Sequence, residues 1–197
     1  MCGRYYIGTE EDAAWLREIV DKVEQRHRGS EALARMRLGE IFPNQVVPII
    51  DRSGPRLMKW GYAGYGNRVI NARSETAFEK PMFRRSMLER RCLIPASGYY
   101  EWKRNQSGGK TKQKFALYRP GRPMHMAGLW REEQGEALPV FVILTREAGP
   151  DIADIHDRMP VILPEQALEE WLEGPDPGLL MAQALQDMAY QPVEPAR

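Results

Sequence analysis

Short apolar runs, separated by glycine and proline, fill the middle of this 197-residue chain and limit its fold more than any other feature. Eight runs have the length and composition of β-strands: Val46–Ile50, Arg56–Trp60, Val69–Ala72, Cys92–Ala96, Phe115–Tyr118, Met126–Trp130, Val140–Thr145 and Pro160–Leu163. Many short strands with turn residues between them are typical of an antiparallel sheet that is closed or folded on itself. We therefore predict an α+β fold that is mainly antiparallel β, with a few peripheral helices.

Helices are predicted near the two ends of the chain. Apolar periodicity and flanking capping, proline and glycine signals indicate three of them: residues 10–27, Glu165–Glu173 and Leu179–Ala189. Thr9 and Asp12 have the spacing of a capping box at the start of the first helix. Two prolines predict a loose end over Tyr190–Arg197. A chain of this length fits a single domain, which we place at residues 1–174, followed by a C-terminal helix and tail over residues 175–197.

The formal net charge of +1 conceals a strong segregation of charge along the chain. Residues 52–122 hold 17 Lys and Arg against 4 Asp and Glu, whereas residues 123–197 hold 4 against 14. The basic stretch is rich in arginine and aromatic residues, which suit phosphates and unstacked bases. A basic face that is merely solvated is the alternative.

Several classes of protein are excluded by what the sequence lacks. No apolar run approaches the roughly 18 residues of a membrane span, and the first residues have neither the basic nor the apolar segment of a signal peptide. Cys2 and Cys92 cannot form a disulfide framework, which favours a reducing compartment, and we expect a cytoplasmic monomer. Because no cysteines and histidines have the spacing of metal ligands and there is no glycine-rich phosphate loop, we expect neither a metal nor a cofactor.

The first candidate site residue is Cys2. Removal of Met1, which occurs when the second residue is small, leaves an amine and a thiol on adjacent carbons. This aminothiol reacts with an aldehyde through its amine to give an imine, and addition of the thiol then closes a five-membered thiazolidine. Toward an amide or ester, the thiol is instead an N-terminal nucleophile with its own amine as the base. An incidental residue at a frayed terminus is the third possibility.

Polar residues in three later segments are further candidates. Asn71 and Arg73 follow an apolar strand, so the amide is placed to contact the Cys2 amine or a substrate oxygen, and the guanidinium to hold a phosphate. A surface turn with an ion pair is the alternative there. Glu101 lies among aromatic residues, which predicts a raised pKa and general-acid chemistry, or else a partly exposed strand glutamate. His156 is the strongest candidate for proton transfer among 3 histidines.

Six blocks of the sequence together resemble the SRAP family, the SOS response-associated peptidase-like proteins. The blocks are Met1–Tyr5, Trp60–Gly61, Asn71–Glu75, Arg91–Trp102, Ala127–Trp130 and His156–Pro160. Their order and spacing span residues 1–163, which is most of the chain. The resemblance implies a single domain with a barrel-like core. It also implies a sensor of abasic sites in single-stranded DNA that captures the site as a covalent protein–DNA crosslink.

The same resemblance implies roles for individual residues. By motif match, the residues that form the crosslink and line its site are Cys2, Asn71, Glu101 and His156. The implied DNA contacts are Arg4, Trp60, Arg73 and Arg158, and the basic stretch adds Arg84 and Arg85 to a predicted positive groove. A ring-opened abasic site exposes an aldehyde, the electrophile that an aminothiol prefers. An N-terminal-cysteine peptidase, with removal of its own Met1 as one reaction, and a reversible single-strand binding module are the competing hypotheses.

Overall fold

The computed structural model describes residues 2–8, 14–104, 112–122 and 124–194. Thirteen strands lie within these ranges: β1 (Arg4–Ile7), β2 (Gly39–Ile41), β3 (Val46–Asp51), β4 (Gly54–Trp60), β5 (Asn71–Arg73), β6 (Arg91–Ala96), β7 (Gly98–Arg104), β8 (Lys112–Tyr118), β9 (Met124–Arg131), β10 (Val140–Glu147), β11 (Arg158–Pro160), β12 (Ile162–Leu163) and β13 (Ala189–Pro192). The helices are α1 (Ala14–Arg26), α2 (Glu31–Ala34), α3 (Pro81–Glu89), α4 (Leu168–Glu173) and α5 (Pro177–Ala182). The predicted α+β class, mainly β, is confirmed.

The strands form two sheets. The first has the order β13-β8-β7-β1-β2, and all its neighbours are antiparallel. In the second, β10, β4, β3, β6 and β9 follow one another and β9 pairs again with β10, which closes a ring. β5, β11 and β12 extend this ring at its edges. The ring confirms the barrel-like core that the family resemblance implies.

Alternating side chains of β10 face two hydrophobic clusters. Phe141 and Ile143 lie in the first cluster, which also contains Tyr5 and Tyr99 of the five-stranded sheet. Val142 lies in the second cluster, together with buried side chains of α3, α4 and α5. The ring is thus covered by the five-stranded sheet on one side and by helices on the other. Glu101 lies on the inward face of the five-stranded sheet, and Cys2 directly precedes its strand β1.

The structure corrects several predicted boundaries. All eight predicted runs overlap strands, but β1, β2, β7, β13 and α3 were not predicted. The predicted helix over Leu179–Ala189 is wrong in extent, because α5 ends at Ala182. The predicted loose end is wrong for its first residues, since Tyr190 pairs with Leu117 in the β13–β8 ladder. The capping residues predicted for the first helix lie outside the described residues, and a boundary after residue 174 stays a prediction.

Candidate functional site

Cys2 lies just before β1 and is fully buried in the first hydrophobic cluster. Its thiol donates a weak hydrogen bond to the carbonyl of Arg4, with 3.7 Å between sulfur and oxygen. Burial raises the pKa of the Cys2 thiol far above its usual value, and the nearby Glu101 carboxylate adds to this effect. The sulfur is therefore a neutral thiol near neutral pH, shielded from bulk water. This is not the environment of a frayed terminus.

Asn71 opens β5 and contacts Cys2 directly. β5 runs parallel to β10, with Asn71 opposite Ile143. From this position the amide Nδ2 donates a hydrogen bond of 2.9 Å to the Cys2 carbonyl oxygen. The amide oxygen Oδ1 is buried and has no hydrogen-bond partner among the described residues. An acceptor of this kind beside Cys2 is available to the N–H or O–H group of a reacting molecule.

Glu101 and His156 form an acid–imidazole pair beside Cys2. Glu101 is 4% exposed on the inward face of β7, and burial raises the pKa of its carboxyl group, an effect that the His156 charge opposes. His156 Nε2 lies 3.9 Å from Glu101 Oε2. Its Nδ1 accepts a hydrogen bond of 3.0 Å from the Arg158 backbone N–H and lies 2.9 Å from Asp157 Oδ1. Because Nδ1 is the acceptor in this hydrogen bond, the ring proton is on Nε2, the nitrogen 3.9 Å from Glu101 Oε2.

Arg158 is anchored next to this pair. Its guanidinium donates two hydrogen bonds to Glu75, of 2.7 and 2.8 Å, and a third of 2.7 Å to the Thr145 carbonyl. These hydrogen bonds lower the pKa of Glu75 to about 2. Arg73 is exposed at the end of β5, opposite Thr145. The end of β10 therefore brings two guanidinium groups to the site, one fixed by a carboxylate and one exposed.

The outward face of the five-stranded sheet carries stacked cations and aromatic rings. The Arg4 guanidinium lies 4.5 Å from the ring centroid of Phe42 and 5.0 Å from that of Trp102. Arg4 and Lys114 share one carboxylate, Glu40, at 3.2 and 2.8 Å. Two cations against one anion leave a positive charge over aromatic surface. Phe42, Trp102 and Lys114 are not among the predicted site residues. For Trp102 and Lys114 the basic and aromatic composition of residues 52–122 was the available signal, whereas Phe42 lies outside that segment.

A glycine-flanked loop between β4 and β5 presents Tyr65, which is fully exposed. The base of the loop is held by Arg68, which donates to the Gly61 carbonyl at 2.9 Å and pairs with Glu136. This loop leads into Asn71 at the start of β5. An exposed aromatic ring on an anchored loop is thus close in sequence to Asn71. In the sequence, the glycines on both sides of Tyr65 indicate this exposed loop.

Three of the predicted DNA contacts, Trp60, Arg84 and Arg85, have no described contact with the site residues. Trp60 is fully buried, and its indole N–H donates a hydrogen bond of 3.0 Å to the Ile70 carbonyl, so its side chain is part of the core and its contact with DNA stays a prediction. Arg84 and Arg85 are exposed on α3, whose buried side chains pack in the second cluster. Arg85 pairs with Glu89 at 2.9 Å along this helix. Their contact with DNA stays a prediction.

The described ranges contain no group of three or more His, Cys, Asp or Glu residues that would hold a metal ion. Within the same ranges, no helix is long and apolar enough to cross a membrane. The groups described at the site are a buried thiol, a carboxamide, a carboxyl group of raised pKa and an imidazole.

Comparisons with known proteins show the family of this chain. Residues 1–196 match the family described as SOS response associated peptidase (SRAP). The abasic site processing protein YoaM of Bacillus subtilis (strain 168) is 36% identical over an alignment of 214 residues, covering 97% of this chain and 90% of the relative. The abasic site processing protein YedK of Escherichia coli (strain K12) is 39% identical over 184 residues, covering 87% and 79%. A solved structure from Bacteroides thetaiotaomicron has the same fold, with a TM-score of 0.74 at 21% identity over 98% of this chain and 92% of that one. The chain belongs to the SOS response associated peptidase family.

Proposed function

We propose that this protein processes abasic sites in single-stranded DNA by capturing them covalently through Cys2. The proposal is supported by membership of a family in which similar proteins are named abasic site processing proteins. The observation that carries it is the convergence of Asn71 on the Cys2 carbonyl with the Glu101–His156 pair beside the thiol.

The proposed reaction begins with ring opening of the abasic sugar. One proton moves from the anomeric hydroxyl to the ring oxygen, and Glu101 relays it, because burial raises the pKa of this carboxyl group and so favours its protonated form. The opened sugar has an aldehyde at C1′. Glu101 takes up the proton of the anomeric hydroxyl and so ends this step protonated, while His156, with Nε2 3.9 Å from Glu101 Oε2, positions the carboxyl group.

The next steps join the aldehyde to Cys2. After Met1 has been removed, the Cys2 amine adds to C1′. The aldehyde oxygen then leaves as water with a proton from Glu101, which gives an iminium ion and the Glu101 carboxylate. The sulfur then bonds to C1′, the C=N electron pair returns to nitrogen, and the thiol proton passes to the Glu101 carboxylate. The sum is aldehyde plus aminothiol giving thiazolidine plus water, with no oxidation or reduction. Asn71 holds the Cys2 backbone during this sequence.

DNA is held, in this proposal, by the charged and aromatic groups around the site. Arg73 and Arg158 bind phosphates at the end of β10, and Arg84 and Arg85 continue the positive path along α3. The outward cluster of Arg4, Phe42, Trp102 and Lys114 provides cations and rings on which unpaired bases stack. Tyr65 adds one further exposed ring.

The test is incubation of the protein with a single-stranded oligonucleotide that carries one abasic site. Removal of Met1 is first verified by mass. We expect an adduct that survives heating in denaturant, and none with the intact oligonucleotide. Cleavage of a peptide without an adduct would support the peptidase hypothesis. Retention of both oligonucleotides without an adduct would support the reversible binding module.

Peptidase activity on other proteins is disfavoured by one observation. The Cys2 thiol is fully buried and its pKa is raised, so it is a poor nucleophile toward an external peptide. Self-removal of Met1 is the form of peptidase activity that remains compatible with the site. It predicts that Glu101→Gln keeps Met1 when the protein is produced without an aminopeptidase, which intact mass measures.

A further inference from the structure

Two tyrosine hydroxyls are buried on the inward face of the five-stranded sheet without a hydrogen-bond partner among the described residues. They belong to Tyr5 and Tyr99, which are directly opposite each other in the β1–β7 ladder. Both side chains are fully buried, and the Tyr5 ring packs edge-on against Trp60 with 5.2 Å between centroids. Two neighbouring residues thus bury an unsatisfied donor each.

Such groups destabilise a folded protein, because the hydroxyl loses its water and gains nothing in return. The second hydrophobic cluster shows the usual arrangement. There the hydroxyl of Tyr62, equally buried, donates to Ser86 Oγ at 3.3 Å, and Ser86 donates in turn to the Trp130 carbonyl at 2.9 Å. Phenylalanine would fill the space of Tyr5 and Tyr99 without the cost of burying an unsatisfied hydroxyl. Packing therefore does not explain the two hydroxyls.

Their surroundings point to Cys2. Tyr5 is three residues from Cys2 on the segment that enters β1, and Tyr99 shares the inward face of β7 with Glu101. Burial raises the pKa of both tyrosines, and the Cys2 charge is the next largest cause in each case. A third unsatisfied atom, Asn71 Oδ1, lies on the amide that holds the Cys2 carbonyl. The unsatisfied polar atoms of this region are therefore gathered around one residue.

We propose that Tyr5 and Tyr99 are positioning residues whose hydroxyls donate hydrogen bonds to the Cys2 sulfur during ring closure. This inference rests on the proposed function. A neutral thiol is a weak acceptor, so the hydroxyls stay unsatisfied in the resting protein. As the thiol proton passes to Glu101 and the sulfur bonds to the iminium carbon, the sulfur carries negative charge. Two donors then stabilise that charge and direct the sulfur toward the carbon.

The variants that test this are Tyr5→Phe and Tyr99→Phe, with Tyr62→Phe as the matched control. Single-turnover reactions with abasic single-stranded DNA are divided in two, and one half is treated with borohydride to trap the imine. We expect closure to slow by about tenfold or more in the first two variants, since hydrogen bonds to charged groups are strong. Imine trapped per stable adduct then rises, and it stays at the wild-type value in Tyr62→Phe. An unchanged ratio in both test variants overturns the inference.

Thermal unfolding gives an independent result. Tyr5→Phe and Tyr99→Phe are expected to keep or raise the midpoint of unfolding, whereas Tyr62→Phe lowers it because Ser86 loses its partner. A loss of stability in the test variants that matches the control shows that the hydroxyls have partners and overturns the inference.

A DNA-free arm separates the two proposals. Formaldehyde also closes a thiazolidine on an N-terminal cysteine, and intact mass follows it. If wild-type protein reacts with formaldehyde but gives no stable adduct with abasic DNA, the proposed function fails. The tyrosine variants are still compared with formaldehyde in that case, and equal closure rates in all four proteins overturn the inference.

Discussion

The two faces of the five-stranded sheet differ although neighbouring residues build them. Glu101 points inward, where burial raises its pKa, and Trp102 points outward against the Arg4 guanidinium. On the inward face, polar groups are few, buried and close to one thiol. On the outward face, cations and rings are stacked and share a single carboxylate, Glu40. Because side chains alternate along a strand, one segment can supply both proton transfer and a binding surface.

Removing the thiol is expected to have the largest effect and to separate the chemistry of the inward face from the DNA binding of the outward face. Cys2→Ala is expected to abolish the heat-stable adduct while reversible binding to single-stranded DNA stays near the wild-type value, because no outward group changes. Cys2→Ser keeps the amine and forms an imine that only borohydride preserves. Denaturing gels and fluorescence anisotropy measure the two properties. A stable adduct from Cys2→Ala would contradict the thiazolidine.

Glu101→Gln is expected to have the next largest effect. Glutamine keeps the shape but delivers no proton, so crosslinking slows by about 10²–10⁴-fold while binding changes little. The wild-type rate falls as pH rises through the raised pKa of Glu101, and this limb is missing in the variant. Single-turnover rates measured against pH show both effects. Equal rates for the two proteins would leave His156 as the acid.

The same carboxyl group makes a prediction about stability. Its pKa is raised by folding, so between the unfolded value, about 4.3, and the folded value the native protein binds more protons than the unfolded chain. The unfolding free energy contributed by this group is therefore present below the unfolded pKa and is lost as pH rises through that window. In Glu101→Gln this loss disappears, which denaturant titrations over a pH series that rises from the unfolded pKa of the carboxyl group would detect. If Glu101→Gln loses the same unfolding free energy with rising pH as the wild type does, the loss belongs to another titratable group.

Trp102→Ala acts on the outward face alone. Stacking of one base on an aromatic ring contributes about 1–3 kcal/mol, so binding to single-stranded DNA is expected to weaken by roughly 5- to 150-fold. The crosslinking rate at saturating DNA stays unchanged, because Glu101 is untouched. Anisotropy titrations and single-turnover rates at saturation test this, with Tyr190→Ala, an exposed aromatic residue of β13, as the control. A loss of rate at saturation would show that the faces are coupled.

Salt dependence gives the smallest effect. Each phosphate contact on a single strand contributes a log–log slope of about −0.7. Arg73→Gln and Arg84→Gln are each expected to reduce the magnitude of the slope by about that amount. Arg85→Gln reduces it less, because Glu89 already neutralises Arg85. Binding measured across a salt series decides this, and an unchanged slope for Arg84→Gln would remove α3 from the DNA path.

The sequence predicts the ring better than it predicts the site-bearing sheet. β6 and β10 of the ring are buried on both faces along most of their length, so they stand out in the sequence as nearly continuous apolar runs. β1 and β7 mix arginine, glutamate and tyrosine, and their strand character comes from pairing with each other, which local pattern does not contain. This pairing also decides that Glu101 is buried while Trp102 is not.

The candidate site shows the same division. The types and order of residues in the chain predict Cys2, Asn71, Glu101 and His156, but not their partners. Arg158 shows why the partners could not be predicted. Its guanidinium donates hydrogen bonds to Glu75 and to the Thr145 carbonyl, which lie in segments far apart in sequence. Trp60 shows a second limit of the sequence. The motif match that selects Trp60 does not say whether its side chain is buried, and burial decides whether a residue belongs to the core or to the surface.

β10 has a consequence for how and when this protein acquires its activity. That strand pairs with β4, β5, β9 and β11, and so links the segment of Asn71 to the segment of Arg158. Contacts between such distant segments slow folding, since a long loop must close before any of them forms. During synthesis the Cys2 segment emerges well before β10 and β11. Under the proposed function, a newly made chain that has lost Met1 therefore carries an unguided aminothiol until β10 and β11 have left the ribosome.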